Sequence, residues 1–149
     1  MSKTILLVED SPSDEKLTLL AFKRCGVSRE LVVVRDGAAA LDYLFGMGTG
    51  EGRDATPAPA VVLLDLKLPK IDGHEVLRRV RADERTKLLP VVILTSSKEE
   101  EDILRSYTLG ANAYIRKPVE FGDFAEAAKT LGLFWLLLNE SPPARRGGP

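Results

Sequence analysis

Four short apolar runs in this chain each lead into residues that can do chemistry. Ile5-Leu6-Leu7-Val8 ends in Glu9-Asp10, and Val61-Val62-Leu63-Leu64 ends in Asp65. Val91-Val92-Ile93-Leu94 ends in Thr95-Ser96, and Ala113-Tyr114-Ile115 is followed closely by Lys117-Pro118. Gathered in one place, they supply three carboxylates, a hydroxyl and an ammonium. Like charges at close range repel, and burial sharpens the repulsion. A hard divalent cation relieves it, and Mg²⁺ takes a few carboxylates, waters and phosphate oxygens in an octahedron. A carboxylate lone pair left over is a nucleophile. Lys117 and Thr95 can hold the oxygens of a transferring phosphoryl group. The set suits attack of a carboxylate on phosphorus to give an aspartyl phosphate.

Each piece alone has a plainer reading. Glu9-Asp10 can be an acidic pair at a helix start, Asp65 the first residue of a turn, Thr95-Ser96 a helix cap and Lys117 a solvated lysine. The coincidence of all four at strand ends is what favours a site.

The elements that must position these residues follow from the pattern of apolar and breaking residues. The short apolar runs read as buried strands, and Leu31-Val32-Val33-Val34 adds a fifth, β-branched one. Pro12 suits the first turn of a helix carrying Leu17, Leu20, Ala21 and Arg24, closed by Gly26. Ala38, Leu41, Tyr43, Leu44 and Phe45 make a short helix stopping at Gly46. A Gly/Thr/Pro-rich loop, 46–59, reads as a solvent-exposed insertion. A helix after Gly73 carries Val76, Leu77 and Val80. Residues 99–109 place Ile103, Leu104 and Tyr107 on one face, and Gly110 ends that helix. A last, long helix is predicted over 121–138. Alternating strands and helices imply a parallel sheet with helices on both faces. The carboxyl ends of its strands then share one edge, where ligands bind at a switch in strand order.

Bulk properties narrow the classes. The 149 residues are 44% hydrophobic and 29% charged, with a formal net charge of −1. This suits one soluble domain and offers no basic field for nucleic acid. The single cysteine, Cys25, fits a reducing, cytoplasmic setting. No signal-peptide pattern opens the chain, and the longest apolar run, 133–138, is too short to cross a membrane.

Four segments closely resemble the receiver domains of bacterial two-component systems: Ile5-Leu6-Leu7-Val8-Glu9-Asp10, Leu64-Asp65-Leu66-Lys67-Leu68-Pro69-Lys70-Ile71-Asp72-Gly73, Ile93-Leu94-Thr95-Ser96-Ser97 and Gly110-Ala111-Asn112-Ala113-Tyr114-Ile115-Arg116-Lys117-Pro118. The resemblance covers residues 3–138. It implies a doubly wound, flavodoxin-like α/β fold, a five-stranded parallel sheet in the order 2-1-3-4-5 flanked by five helices. Residues 1–140 would form the receiver and 141–149 a disordered tail. The resemblance makes Asp65 the phosphoacceptor, Asp10 a direct Mg²⁺ ligand and Glu9 a ligand through water. The backbone carbonyl of Lys67 would complete the protein's share of the metal shell. Thr95 and Lys117 would hold phosphoryl oxygens, and a cis Lys117–Pro118 peptide would turn the lysine inward. Glu9 departs from the commoner aspartate by one methylene, which keeps the charge and alters the geometry.

Within the family the chain looks most like the single-domain regulators paired with phytochrome-type histidine kinases. The long loop before the third strand, Asp65-Leu66-Lys67-Leu68-Pro69-Lys70 and the ending Phe134-Trp135-Leu136-Leu137-Leu138-Asn139-Glu140 carry that likeness. A sensor histidine kinase, such as a bacteriophytochrome, is the implied partner. Phosphorylation would draw Thr95 toward the phosphoryl group, turn Tyr114 inward and shift the surface formed by the fourth helix, fifth strand and last helix. Leu133, Phe134, Trp135, Leu137 and Leu138 cover every direction of a helix, and the part not facing the core is expected to form a homodimer contact. His74 and Cys25 are assigned no site. Two rivals remain open at this stage. An aspartyl-phosphate phosphohydrolase usually carries a second acid two residues after its nucleophile, where this chain has Lys67. A constitutive scaffold would not need the intact set of Glu9, Asp10, Asp65, Thr95 and Lys117.

Overall fold

The computed structural model describes residues 4–24, 26, 31–46 and 58–117, and singly 123, 126, 127, 129, 130, 135 and 140. Strands β1 (Ile5–Val8), β2 (Leu31–Val34), β3 (Val61–Leu64), β4 (Val91–Thr95) and β5 (Ala113–Arg116) form one sheet in the order β2-β1-β3-β4-β5, every pair parallel. Helices α1 (Pro12–Arg24), α2 (Gly37–Gly46), α3 (Gly73–Ala82) and α4 (Glu100–Thr108) connect them. Among the described residues that follow β5, five between 123 and 130 are helical, within the span expected for the last helix. The order and fold class are those the strand pattern and the resemblance imply.

Successive strand residues point to opposite faces, and the core divides accordingly. Leu6, Val8, Val62, Leu64, Val91 and Ile93 pack with Ala40, Leu41 and Leu44 of α2 and Val76, Leu77 and Val80 of α3. Ile5, Leu7, Val61, Leu63, Val92 and Leu94 pack with Ala21 and Phe22 of α1 and with Trp135. Strands β1, β3 and β4 are buried along their length, whereas the edge strands β2 and β5 are half-buried.

Two helices present faces that differ from the expected ones. In α1 the buried residues are Thr18, Ala21 and Phe22, and Leu20 is exposed. Leu20 lies about 200° around the helix from Phe22, so one packed face excludes the other. In α4 the only buried residue is Ser106, while Leu104 is 69% exposed and Tyr107 is also exposed. Periodicity finds an apolar stripe but does not say which way it faces. Here polar bonds from α3 to Ser106 fix the rotation of α4, as described below.

The register sets the edge. Val8 aligns with both Val34 and Leu64, and Leu64 aligns with Ile93. Hydrogen bonding continues one residue past the strands. The amide of Glu9 donates to the Val34 carbonyl (3.0 Å), that of Asp65 to Val8 (3.2 Å) and that of Lys117 to Thr95 (2.7 Å). The backbones of the chemistry-bearing residues are thus fixed by the sheet itself.

Candidate functional site

At this edge the carboxylates of Glu9, Asp10 and Asp65 each offer an oxygen within 4.8 Å of the others. Glu9 and Asp65 are buried and Asp10 is exposed. The turn after β3 is shaped around Asp65. The Lys67 amide donates to Asp65 Oδ1 (3.3 Å), and the Gly73 amide donates to the Leu66 carbonyl (2.9 Å). A Cβ on Gly73 would run into the Asp65 carbonyl oxygen, so the close return of α3 onto the loop requires glycine. Asp72 caps α3 by accepting from the Glu75 amide (2.9 Å). Lys70 takes a left-handed conformation, φ 68°, in the same turn.

Lys117 crosses the edge. Its ammonium, on a side chain only 7% exposed, donates to Glu9 Oε1 at 2.5 Å, Asp14 Oδ2 at 2.9 Å and Asp65 Oδ2 at 3.0 Å. Each of its three hydrogens has a carboxylate partner. Burial alone would lower the Lys117 pKa, but the bond it donates to Glu9 and the charge of Asp65 outweigh it and hold the group cationic.

The two buried acids are driven apart. Burial raises the Glu9 carboxyl from 4.5 to about 7, against the opposing pull of Lys117. Burial also acts on Asp65, but the Lys117 charge and hydrogen bonds from Glu9, Lys117 and Thr95 hold its carboxyl below the usual range. Glu9 therefore tends to keep a proton and direct it toward Asp65, which stays ionised. Three convergent carboxylates, one forced toward its neutral form by burial, form a hard-oxygen donor set with a deficit of positive charge. That donor set fits a divalent cation such as Mg²⁺.

Thr95 is buried at the end of β4, and its Oγ1 accepts from the Ser97 amide (3.4 Å). Ser97 in turn donates its hydroxyl to Asp102 Oδ2 of α4 (2.6 Å), and its carbonyl accepts from the Tyr114 hydroxyl (2.9 Å). Tyr114 is thus half-buried and already tied to the β4–α4 loop. Glu9, Asp10, Asp65, Thr95 and Lys117 all lie along the one edge. The Lys67 amide contacts Asp65, whereas its side chain is exposed.

Two positions acquire partners that sequence reasoning had not given them. Asp14 is a partner of Lys117; its one sequence signal is an acid in the first turn of the helix that leaves β1. His74, assigned no site, is buried, with Nε2 3.0 Å from Ser106 Oγ. The Ser106 hydroxyl donates to the Asp102 carbonyl (2.7 Å), so Nε2 is the donor to Ser106. The Lys117–Pro118 peptide, Leu133, Phe134, Leu137, Leu138, the tail and most of the 46–59 loop lie outside the described residues. Trp135 is half-buried against the α1 side of the core.

A parallel sheet in this order, with acids after β1 and β3, a hydroxyl at the end of β4 and a lysine after β5, defines a receiver domain. The chain belongs to that family: it matches the response regulator receiver domain over residues 5–129. Among curated relatives it is 44% identical to the probable methanogenesis regulatory protein FilR2 of Methanothrix harundinacea, over 93% of this chain and 86% of that one. It is 40% identical to response regulator Rcp1 of Synechocystis, over 95% of each. Among solved structures it is similar to the phosphorylated cyanobacterial phytochrome response regulator RcpA, with TM-score 0.85, 38% identity and 96% and 100% coverage of the two chains. The bacteriophytochrome response regulator RtBRR is 55% identical, with TM-score 0.73 and 96% and 86% coverage. A Mn²⁺-bound form of Rcp1 matches at TM-score 0.81, 38% identity and 95% and 99% coverage. The chain's relatives therefore include single-domain, phytochrome-associated response regulators.

Proposed function

We propose that this protein is a phosphorylation-activated response regulator that accepts a phosphoryl group on Asp65 and signals through the surface formed by α4, β5 and the last helix. The observation that carries the reading is the Lys117 ammonium, which spans Asp65 and Glu9 across a carboxylate cluster suited to Mg²⁺. Bound Mg²⁺, held by Asp10, Asp65, the Lys67 carbonyl and, through water, Glu9, would neutralise charge on the transferring group. Asp65 supplies the nucleophile: one of its oxygens forms the bond to phosphorus as the phosphorus–nitrogen bond of a donor phosphohistidine breaks. The electron pair and the negative charge leave with the imidazole, which takes up a proton. Its depressed carboxyl keeps Asp65 ionised for this step at neutral pH. The Lys117 ammonium then exchanges its bond to Asp65 for one to a phosphoryl oxygen, and Thr95 turns its hydroxyl to another.

Movement of Thr95 disturbs the Ser97 amide it holds, and with it both the Asp102 tether of α4 and the Tyr114 hydroxyl. The Lys117–Pro118 peptide is cis in this reading. The partner is a sensor histidine kinase, and the identities to RtBRR and RcpA favour a phytochrome-type one. The role is that of a signalling phosphoacceptor and not a turnover enzyme. Homodimerisation through Leu133, Phe134, Trp135, Leu137 and Leu138 completes the proposal.

The test is a mass measurement after treatment with acetyl phosphate, with and without Mg²⁺, on wild type and Asp65→Asn. One phosphoryl increment is expected on wild type, dependent on Mg²⁺ and absent from the variant. An equal increment on Asp65→Asn would refute the assignment. Fast steady-state turnover of small phosphoesters would favour a phosphohydrolase.

A further inference from the structure

We infer that Asp14 is a positioning residue for Lys117, the anchor that keeps its ammonium at the site when Glu9 and Asp65 are engaged elsewhere. This rests on the proposed reading of the site. Lys117 has three hydrogens and three carboxylate partners, Glu9, Asp14 and Asp65. Two of these partners belong to the group that fits a cation, and Asp14 does not. A cation held by Glu9 and Asp65 competes with Lys117 for the charge of the same two carboxylates, and a phosphoryl group on Asp65 takes away that carboxylate's own charge. The bond to Asp14 is the one that neither event claims.

The mounting of Asp14 suits the task. It sits in the first turn of α1, where the helix dipole favours an anion. Its amide donates to Ser11 Oγ (3.3 Å) and its carbonyl accepts from Thr18 Oγ1 (2.9 Å), which fixes its backbone at two points. Its side chain is 36% exposed, so its charge keeps part of its hydration and does not depend on Lys117 for neutralisation. Lys117 can thus pivot about Asp14, trading Glu9 and Asp65 for phosphoryl oxygens without leaving the edge. Without Asp14, a lysine that loses both other partners swings toward solvent.

The experiment measures how fast Lys117 is acylated by an amine-reactive N-hydroxysuccinimide ester, read by peptide mass spectrometry, in wild type, Asp14→Ala and Asp14→Asn. Each is compared without metal and with saturating Mg²⁺, after Mg²⁺ binding has been measured directly by calorimetry. Without metal, Glu9 and Asp65 still hold the ammonium, and the variants label no more than about twofold faster. With Mg²⁺, Asp14→Ala is expected to label about tenfold faster than wild type, the scale of one charge-assisted hydrogen bond discounted for partial exposure. Asp14→Asn keeps an acceptor oxygen and falls between. Equal labelling of Asp14→Ala and wild type in Mg²⁺ would overturn the inference. So would an acceleration of the same size with and without metal, which would reflect only the local charge. Failure of wild type to bind Mg²⁺ would instead overturn the reading of the cation site, and the role of Asp14 with it.

Discussion

Replacing Glu9 by Gln tests the electrostatics of the site with no phosphoryl donor. Burial raises the Glu9 carboxyl from 4.5 to about 7 despite the neighbouring ammonium. The folded protein thus holds this proton over a range in which the unfolded chain has released it. Stability changes with pH in proportion to bound protons, unfolded minus folded, and for Glu9 that difference is negative. Its contribution is fully present below pH 4.5 and is lost as the pH rises through about 7. At 1.36 kcal/mol per pH unit, the interval corresponds to at most about 3 kcal/mol. Asp65 has the opposite sign: its carboxyl is depressed, so its contribution is lost only as the pH falls through that lowered value, outside this window.

Glutamine carries no charge at any pH and so omits the Glu9 term. Without divalent metal, Glu9→Gln should match wild type at pH 4.5 and exceed it by up to about 3 kcal/mol at pH 8. With urea slopes of about 1–3 kcal/mol per molar, the two midpoints should separate by on the order of 1 M. The single tryptophan, Trp135, packs against the core and provides the fluorescence signal for unfolding. Excess Mg²⁺ should raise the wild-type midpoint more at pH 8 than at pH 5, because the cation must displace the proton that Glu9 retains at the lower pH. The difference between the two proteins isolates Glu9 from every other titrating group. Parallel midpoint curves from pH 4.5 to 8 would refute the claim that Glu9 is buried at a net electrostatic cost.

Three further substitutions probe how the sheet and its flanking helices are supported. Arg81 donates to the carbonyls of Leu89 (2.6 Å), Lys87 (3.1 Å) and Gly110 (2.9 Å) and to Asn112 Oδ1 (2.8 Å), joining the loops that precede β4 and β5. Arg81→Ala should cost about 2–4 kcal/mol in urea unfolding, since several acceptors lose one charged donor. Gly73→Ala places a Cβ against the Asp65 carbonyl, so phosphoryl incorporation should fall by more than tenfold, while circular dichroism shows the sheet retained. Ser106→Ala leaves buried His74 Nε2 without its nearest acceptor and should cost about 1–3 kcal/mol. Faster amide exchange should be confined to α4, and unchanged protection there would count against His74 as its tether.

Why the sequence disclosed some of these features and hid others follows from what each residue must satisfy. A parallel strand buried on both faces must be apolar throughout, so the first polar residue after it marks the sheet edge. Glu9 and Asp65 stand out for that reason, whereas Lys117 follows the half-buried edge strand β5 and its terminal Arg116 and is marked by the family resemblance instead. Asp14 has an ordinary local explanation, an acid in a first helical turn, and its bond to Lys117 spans 103 positions, a pairing no local pattern encodes. His74 and Ser106 are single polar residues on helices, visible only once α3 and α4 are packed. Their bond also sets which way α4 faces. Ile103, Leu104 and Tyr107 share one face of this helix, but a buried histidine needs an acceptor, and turning Ser106 inward leaves Leu104 and Tyr107 exposed.

The division of labour between Glu9 and Asp65 follows from the same logic. Both are buried beside one ammonium, yet their carboxyls move in opposite directions. Asp65 sits in a turn that supplies the Lys67 amide and faces Thr95, Lys117 and the proton of Glu9, so its charge is met from several sides. Glu9 has Lys117 on Oε1 and only a long bond from the Ser11 amide, 3.3 Å, on Oε2. One ammonium does not offset the burial of two carboxylates, so the less well-served of the pair keeps its proton. That proton leaves Asp65 ionised, and it marks where positive charge is still lacking. A divalent cation that took its place would stabilise both acids at once, which in the proposed reading couples metal binding to phosphoryl transfer.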